Sequence, residues 1–205
     1  MKKVAIVDYG MGNLDSVARA VQECGGTPIV TRQADDFDLA NYIILPGVGA
    51  FTTGMHNIRA YGLEDILRTQ VLEQGIPFLG ICLGMQLLAT KGWEGGETQG
   101  LGWIQGEVRK MEPNDPRVRI PHVGWNEVVF DQNSPLFQGI PTGKDFYFVH
   151  SYHFSCLHPQ DAFAHTPYCG GFISVVGKDN ILGVQFHPEK SQRLGFQILR
   201  NFLSV

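Results

Sequence analysis

The chain has 205 residues, which suits one α/β domain with a sizeable buried core and is short for two, at roughly 100–200 residues per domain. With 43% hydrophobic and 18% charged residues it has ordinary globular usage, which excludes a disordered chain. A formal charge of −4 with no run of lysine or arginine argues against nucleic acid or an anionic membrane as the main partner, since both need a basic footprint.

The start, Met1-Lys2-Lys3 followed by Val4-Ala5-Ile6-Val7-Asp8, is charged and then apolar. Its apolar part is too short for a signal peptide or for the ~20 residues of a membrane span, and it reads as a buried first strand over residues 4–8. The glycine-rich turn Tyr9-Gly10-Met11-Gly12-Asn13 follows. Gly10-x-Gly12 has the place of a dinucleotide loop but lacks the third glycine and the acidic residue after a second strand. Leu14, Val17, Ala18 and Val21 recur at helical spacing, closed by Gly25-Gly26. Further strands are predicted over residues 27–31, over 42–45 running into Pro46-Gly47-Val48-Gly49, and over 76–81. A helix around 63–72 ends at Gly75. Strands apolar on both faces and separated by helices imply a parallel sheet covered on both sides.

After about Gly92 the texture changes. Strand-like segments at 107–111, 125–130, 146–150, 172–176 and 181–186 are separated by Pro, Gly, Asn and Asp, and no helical pattern returns until 192–203. Antiparallel hairpins added to the sheet are expected. No linker, low-complexity tract or internal repeat interrupts the chain, so a single domain over residues 1–205 is expected. Cys24, Cys82, Cys156 and Cys169 lie far apart without a C-x-x-C pair. They read as reduced thiols of a cytoplasmic protein, Cys24, Cys156 and Cys169 being buried; an even count also allows two bridges.

The most informative stretch is Gly80-Ile81-Cys82-Leu83-Gly84-Met85-Gln86, with an apolar strand before it and an apolar helix after it. A sharp strand-to-helix turn of this kind projects a nucleophile, and flanking glycines are needed where a Cβ would clash across it. It would place Cys82 at a helix N-terminus, where dipole and free N–H groups favour thiolate and leave the Leu83 N–H as an oxyanion donor. The alternative is a structural cysteine beside glycines required only for packing.

Near the C-terminus stands Gln185-Phe186-His187-Pro188-Glu189-Lys190-Ser191. On a strand, His187 and Glu189 at i and i+2 project to one side, and Pro188 should end the strand there. A thiolate nucleophile needs a base, and the base needs a carboxylate to orient it. His187 and Glu189 suit those roles. His150 and His153, with His158 and His165 nearby, could suggest a metal, but i and i+3 on a strand face opposite sides and no carboxylates accompany them.

Gly80–Gln86 and Phe186–Ser191 together resemble the class I, triad-type glutamine amidotransferases. Stretches 8–14, 45–51, 121–126, 147–152 and 184–191 resemble one branch, the glutaminase subunits that serve imidazole glycerol phosphate synthases in histidine biosynthesis. The resemblance implies a three-layer α/β fold with a central, mostly parallel sheet, flanking helices and added antiparallel strands. It implies that Cys82 forms a glutamyl thioester and that His187 and Glu189 complete the triad. Leu83 and the loop of Gly47, Val48 and Gly49 would hold the oxyanion, the loop's glycines allowing it to change conformation. Gln86, Gly49, Ser151 and Tyr152 would bind glutamine. The implied partner is a (β/α)8-barrel cyclase that receives ammonia through a channel and makes imidazole glycerol phosphate and AICAR from a phosphoribosyl-formimino ribonucleotide. Asn13, Trp125, Asn126, Tyr147 and Lys190 would lie at that interface. No cofactor or metal is implied. Two other readings stay open: a glutaminase of another synthase or γ-glutamyl hydrolase, and a catalytically silent docking subunit.

Overall fold

The computed structural model describes residues 2–113, 115–131 and 134–205. The first half contains β1 (Lys2–Val7), α1 (Leu14–Glu23), β2 (Gly26–Thr31), α2 (Ala34–Asp38), β3 (Tyr42–Gly47), α3 (Phe51–Ala60), α4 (Leu63–Arg68), β4 (Phe78–Cys82) and α5 (Leu83–Gln86). The second half is strand-rich: β5 (Lys91–Gly92), β6 (Thr98–Gln99), β7 (Gly106–Lys110), β8 (His122–Val128), β9 (Lys144–His150), β10 (Tyr152–Cys156), β11 (Ala162–Thr166), β12 (Phe172–Lys178) and β13 (Ile181–Val184). Helix α6 (Gln192–Phe202) closes the chain.

Among the described residues the main sheet has 11 strands, in the order β2-β1-β3-β4-β13-β12-β10-β7-β5-β6 with β11 beside β12. From β2 to β13 the neighbours are parallel, and from β13 through β7 they are antiparallel. The parallel strands are apolar throughout because both faces are covered. Val4 and Ile6 of β1 enter one core with Val17 and Val21 of α1 and Ile198 and Phe202 of α6. Ala5 and Val7 enter the other with Met55, Ile58, Leu63 and Leu67 from α3 and α4. The result is the expected three-layer, mostly parallel sheet with antiparallel additions. No helix of the described residues is long and apolar enough to cross a membrane.

Several elements differ from the sequence-based expectation. The segments predicted at 125–130 and 146–150 pair with each other as β8 and β9 in a separate two-stranded ribbon instead of joining the main sheet. The helix expected around 63–72 is α-helical only over Leu63–Arg68 and loosens into a π-helical turn over Thr69–Glu73. The apolar helix expected after Cys82 is present as α5, a single turn over Leu83–Gln86. Strand β13 ends at Val184, and Pro188–Lys190 forms a 3₁₀ turn, so His187 and Glu189 do not share a strand. Cys24, Cys156 and Cys169 are partly exposed, not buried, and all four cysteines are free.

Register places the site. Gly47 at the end of β3 pairs with Cys82 at the end of β4, and Val184 of β13 pairs with Ile81. The carboxyl ends of β3, β4 and β13 therefore converge, the usual place for a ligand crevice in a parallel sheet.

Candidate active site

Cys82 leaves β4 with φ 55 and ψ −109, a left-handed conformation that a non-glycine residue adopts only under constraint. The constraint is steric. A Cβ on Gly84 would lie 1.8 Å from the Leu45 carbonyl oxygen, and one on Gly80 would lie 2.6 Å from the Gly84 oxygen. The chain can turn this sharply only with glycine at both places. The turn lifts Cys82 Sγ toward the ribbon, where it donates to the Val149 carbonyl at 3.9 Å. Because α5 is one turn long, its dipole gives a thiolate less help than a full helix would; the Leu83 N–H still has no intrahelical partner.

His187 is 2% exposed, and its Nδ1 stands 2.8 Å from Glu189 Oε1. Its Nε2 makes no hydrogen bond among the described residues. Burial opposes a charge on this imidazole, but the Cys82 sulfur and the Glu189 carboxylate beside it outweigh that and raise it to about 10. The pair is an imidazole that favours its protonated form, held in one orientation by Glu189. The 3₁₀ turn carrying it is pinned to the ribbon. The His187 N–H donates to Tyr147 O at 2.9 Å, the Tyr147 N–H to Ser191 Oγ at 3.0 Å, and the Ser191 hydroxyl to His187 O at 2.7 Å.

A cavity of about 400 Å³ opens at the sulfur. Of the expected substrate and oxyanion residues, Val48, Gly49, Leu83, Gln86, Ser151 and Tyr152 line it with Cys82. Gly47 lies behind them as the strand partner of Cys82. Gly49 has φ +108, which suits only glycine. Gln86 is 4% exposed and uses both amide hydrogens within the protein, donating at 3.0 Å to Tyr152 O and at 3.0 Å to Gln185 Oε1. Its own oxygen is left to accept from a ligand.

Glu94 and Gln185, to which the sequence reading gave no role, also stand here, with His150, which it weighed only as a metal ligand. Glu94 lines the cavity and its Oε2 accepts the Phe51 N–H at 2.9 Å, tying the start of α3 to the wall; nothing in its loop signals this. Gln185 is fully buried and its Nε2 donates to Cys82 Sγ at 3.6 Å. His150 lines the cavity and pairs with His122 at 3.0 Å, not with His153.

Three of the five expected interface residues, Trp125, Asn126 and Tyr147, lie on the ribbon, and Lys190 stands over it from the 3₁₀ turn. Trp125 and Tyr147 pair across it with ring centroids 6.0 Å apart, and Lys190 Nζ stands 6.0 Å over the Tyr147 ring. Asn126 is half-buried beside His122, its Nδ2 donating to His122 Nε2 at 3.3 Å. Asn13 is exposed on the loop before α1 and makes no side-chain hydrogen bond or ring contact with that group.

The class I glutamine amidotransferase family model matches residues 5–205. The chain is 48% identical to imidazole glycerol phosphate synthase subunit HisH of Synechocystis, over 99% of this chain and 96% of that protein. It is 46% identical to subunit HisH 1 of Campylobacter jejuni, over 98% and 100%, and 44% identical to HisH of Cereibacter sphaeroides, over 97% of each. Among solved structures, a glutamine amidotransferase superposes with TM-score 0.74 at 22% identity, covering 98% and 97% of the two chains. The glutaminase domain of Trypanosoma brucei CTPS superposes at 0.68 and 18% identity, covering 100% and 92%; both likenesses speak for the fold. The chain belongs to the class I glutamine amidotransferases and, within them, to the family of HisH subunits.

Proposed function

We propose that this chain hydrolyses glutamine to glutamate and ammonia with Cys82 as nucleophile, in one domain over residues 1–205, and passes the ammonia to a (β/α)8-barrel cyclase. One observation carries the reading. Cys82, held at φ 55 by the glycine elbow, opens onto the cavity lined by Gln86, with the His187–Glu189 pair beside it.

His187 Nε2 takes the Cys82 proton, and the thiolate attacks the side-chain amide carbon of glutamine. Charge moves to the amide oxygen, where the Leu83 N–H and an N–H of the 47–49 segment receive it. Collapse breaks the C–N bond as His187 returns its proton to nitrogen, so ammonia leaves and a glutamyl thioester remains. Water then adds to the thioester while His187 takes its proton. The C–S bond breaks, glutamate departs and Cys82 regains the proton. Glu189 keeps the imidazole in one orientation throughout. No step requires a cofactor or metal.

Free ammonia in water is protonated and no longer nucleophilic, so its use requires a sheltered path to an acceptor. The relatives are named as subunits of imidazole glycerol phosphate synthase. That supports a cyclase barrel making imidazole glycerol phosphate and AICAR in histidine biosynthesis as the acceptor, docked on the Trp125–Tyr147 face with Lys190, Asn126 and Asn13. Four free thiols suit a reducing cytoplasm. The test is glutamate release from glutamine with and without the cyclase barrel. A large stimulation by the barrel, abolished by Cys82→Ala, is expected. Equal rates with and without it would remove the coupling, and full activity in Cys82→Ala would remove the mechanism.

A further inference from the structure

The reaction above uses Cys82, His187 and Glu189 but leaves unexplained an uncharged polar side chain buried against the nucleophile. Gln185 is wholly buried, its backbone N–H donates to Ser174 O at 2.9 Å, and its amide nitrogen reaches Cys82 Sγ at 3.6 Å. A buried amide must satisfy its groups. Which way it points is set by its neighbour. Gln86 gives one hydrogen to Tyr152 O and the other to Gln185 Oε1, each at 3.0 Å, so the Gln185 oxygen faces Gln86 and its NH₂ faces the sulfur.

We propose that Gln185 is a further catalytic residue, donating an N–H to the Cys82 thiolate, and that Gln86 locks it in the donating orientation. The proposal rests on the reading of Cys82 as nucleophile. An N–H aimed at sulfur is worth more when the sulfur is charged. It therefore favours loss of the thiol proton to His187 and fixes the Cys82 side chain at the carboxyl end of β4. As Sγ bonds to the amide carbon its charge passes to the amide oxygen, and the Gln185 bond relaxes to that of a neutral thioether-like sulfur. The same arrangement ties recognition to reactivity: Gln86 meets the substrate with its oxygen and holds Gln185 with its nitrogen.

The test is the pH dependence of Cys82 modification by methyl methanethiosulfonate, a small reagent without an amide, in the full chain. Mass spectrometry of the Cys82 peptide separates it from the other three thiols. Gln185→Met keeps the shape and removes the amide. Its midpoint is expected to rise by about one to two pH units, the worth of a hydrogen bond to a charged group. The acid limb of kcat/KM for glutamine should move with it. Gln86→Leu frees the Gln185 amide without touching it, should move the midpoint in the same direction by less, and carries the test if Gln185→Met does not fold. Midpoints equal to the native one would overturn the proposal. Retained glutaminase activity in Cys82→Ala would instead overturn the nucleophile, while the titration would still report whether Gln185 holds the sulfur.

Discussion

His187 Nδ1 lies 2.8 Å from Glu189 Oε1 across a single 3₁₀ turn, with Pro188 between them. The turn cannot shift without cost, because the Pro188 carbonyl packs where a Cβ on Gly195 would come within 2.0 Å, two hydrogen bonds with Tyr147 hold it to the ribbon, and the Ser191 hydroxyl closes it on the His187 carbonyl. The carboxylate therefore orients the imidazole by fixed geometry. Glu189→Gln keeps the shape but loses the charge. Its kcat for glutamine is expected to fall about 100-fold or more. Because Glu189 helps hold His187 up at about 10, its loss should also move the alkaline limb of kcat/KM to lower pH. A pH–rate profile in which neither moved would show that the pair is structural only.

The elbow makes a steric prediction. Gly84→Ala would drive a Cβ to 1.8 Å from the Leu45 carbonyl, a backbone atom that cannot swing aside. The cost should exceed the ~1–3 kcal/mol typical of overpacking. Gly62→Ala is the control. It has φ +68 but nothing within 4 Å, so it should cost only the ~1–2 kcal/mol of a left-handed backbone. Urea denaturation compares the two, and equal losses would mean that the chain moves aside and the collision at 84 does not demand glycine.

The elbow was legible in the sequence because Gly80 and Gly84 flank Cys82 within four residues of each other, although the atom that demands glycine at 84, the Leu45 carbonyl oxygen, lies on the neighbouring strand. His187 and Glu189 were legible as neighbours for a different reason than expected. The i, i+2 spacing brings them together on a strand, but Pro188 suits the first position of a helical turn equally well, and tertiary contacts to Tyr147 selected the turn. Helix α3 was hidden by Thr52, Thr53 and Gly54, poor helix formers, though Phe51, Met55 and Ile58 carry the buried stripe. Gly54 is there because Leu87 comes within 3.3 Å of its missing Cβ. The His122–His150 contact spans two strands whose pairing no local pattern reveals.

The outer face of the ribbon predicts where a partner binds. Val123 and Trp125 are 57% and 47% exposed, and pair across the ribbon with Val149 and Tyr147. Val149 also accepts from Cys82 Sγ, so one end of this apolar strip touches the proposed nucleophile. Exposed apolar side chains set together in this way mark an interaction surface. Trp125→Ala should weaken binding to the proposed cyclase barrel by ~2 kcal/mol or more, the loss expected of an aromatic anchor. Lys190→Ala, removing the charge over Tyr147, should weaken it by less. Isothermal titration with the barrel measures both, and unchanged affinity for Trp125→Ala would move the interface elsewhere.

The buried histidines predict a specific sensitivity to acid. His150 Nδ1 faces the Tyr152 carbonyl at 2.8 Å and must carry its proton there, so its Nε2 accepts from His122 Nδ1 at 3.0 Å. His122 Nε2 then accepts from Asn126 Nδ2 at 3.3 Å, and Asn126 is held that way because its oxygen accepts the Glu127 N–H. Every nitrogen has its role filled with both rings neutral, and an added proton would meet a donor. Burial drives His122 down to about 4; burial, with His122, His153 and His187 nearby, drives His150 down to about 3. The unfolded chain binds a proton at each ring near pH 6.5, so below that pH protons favour the unfolded state. Their contribution is complete above about 6.5 and is lost as pH falls toward 4 for His122 and toward 3 for His150. Within that window each ring steepens the loss by ~1.4 kcal/mol per pH unit. His122→Gln keeps a donor for His150 and an acceptor for Asn126 but does not titrate. Its stability between pH 6 and about 4, followed by urea denaturation, should fall less steeply than that of the native chain by about that amount. Parallel slopes would mean that His122 takes up its proton without opposing the fold.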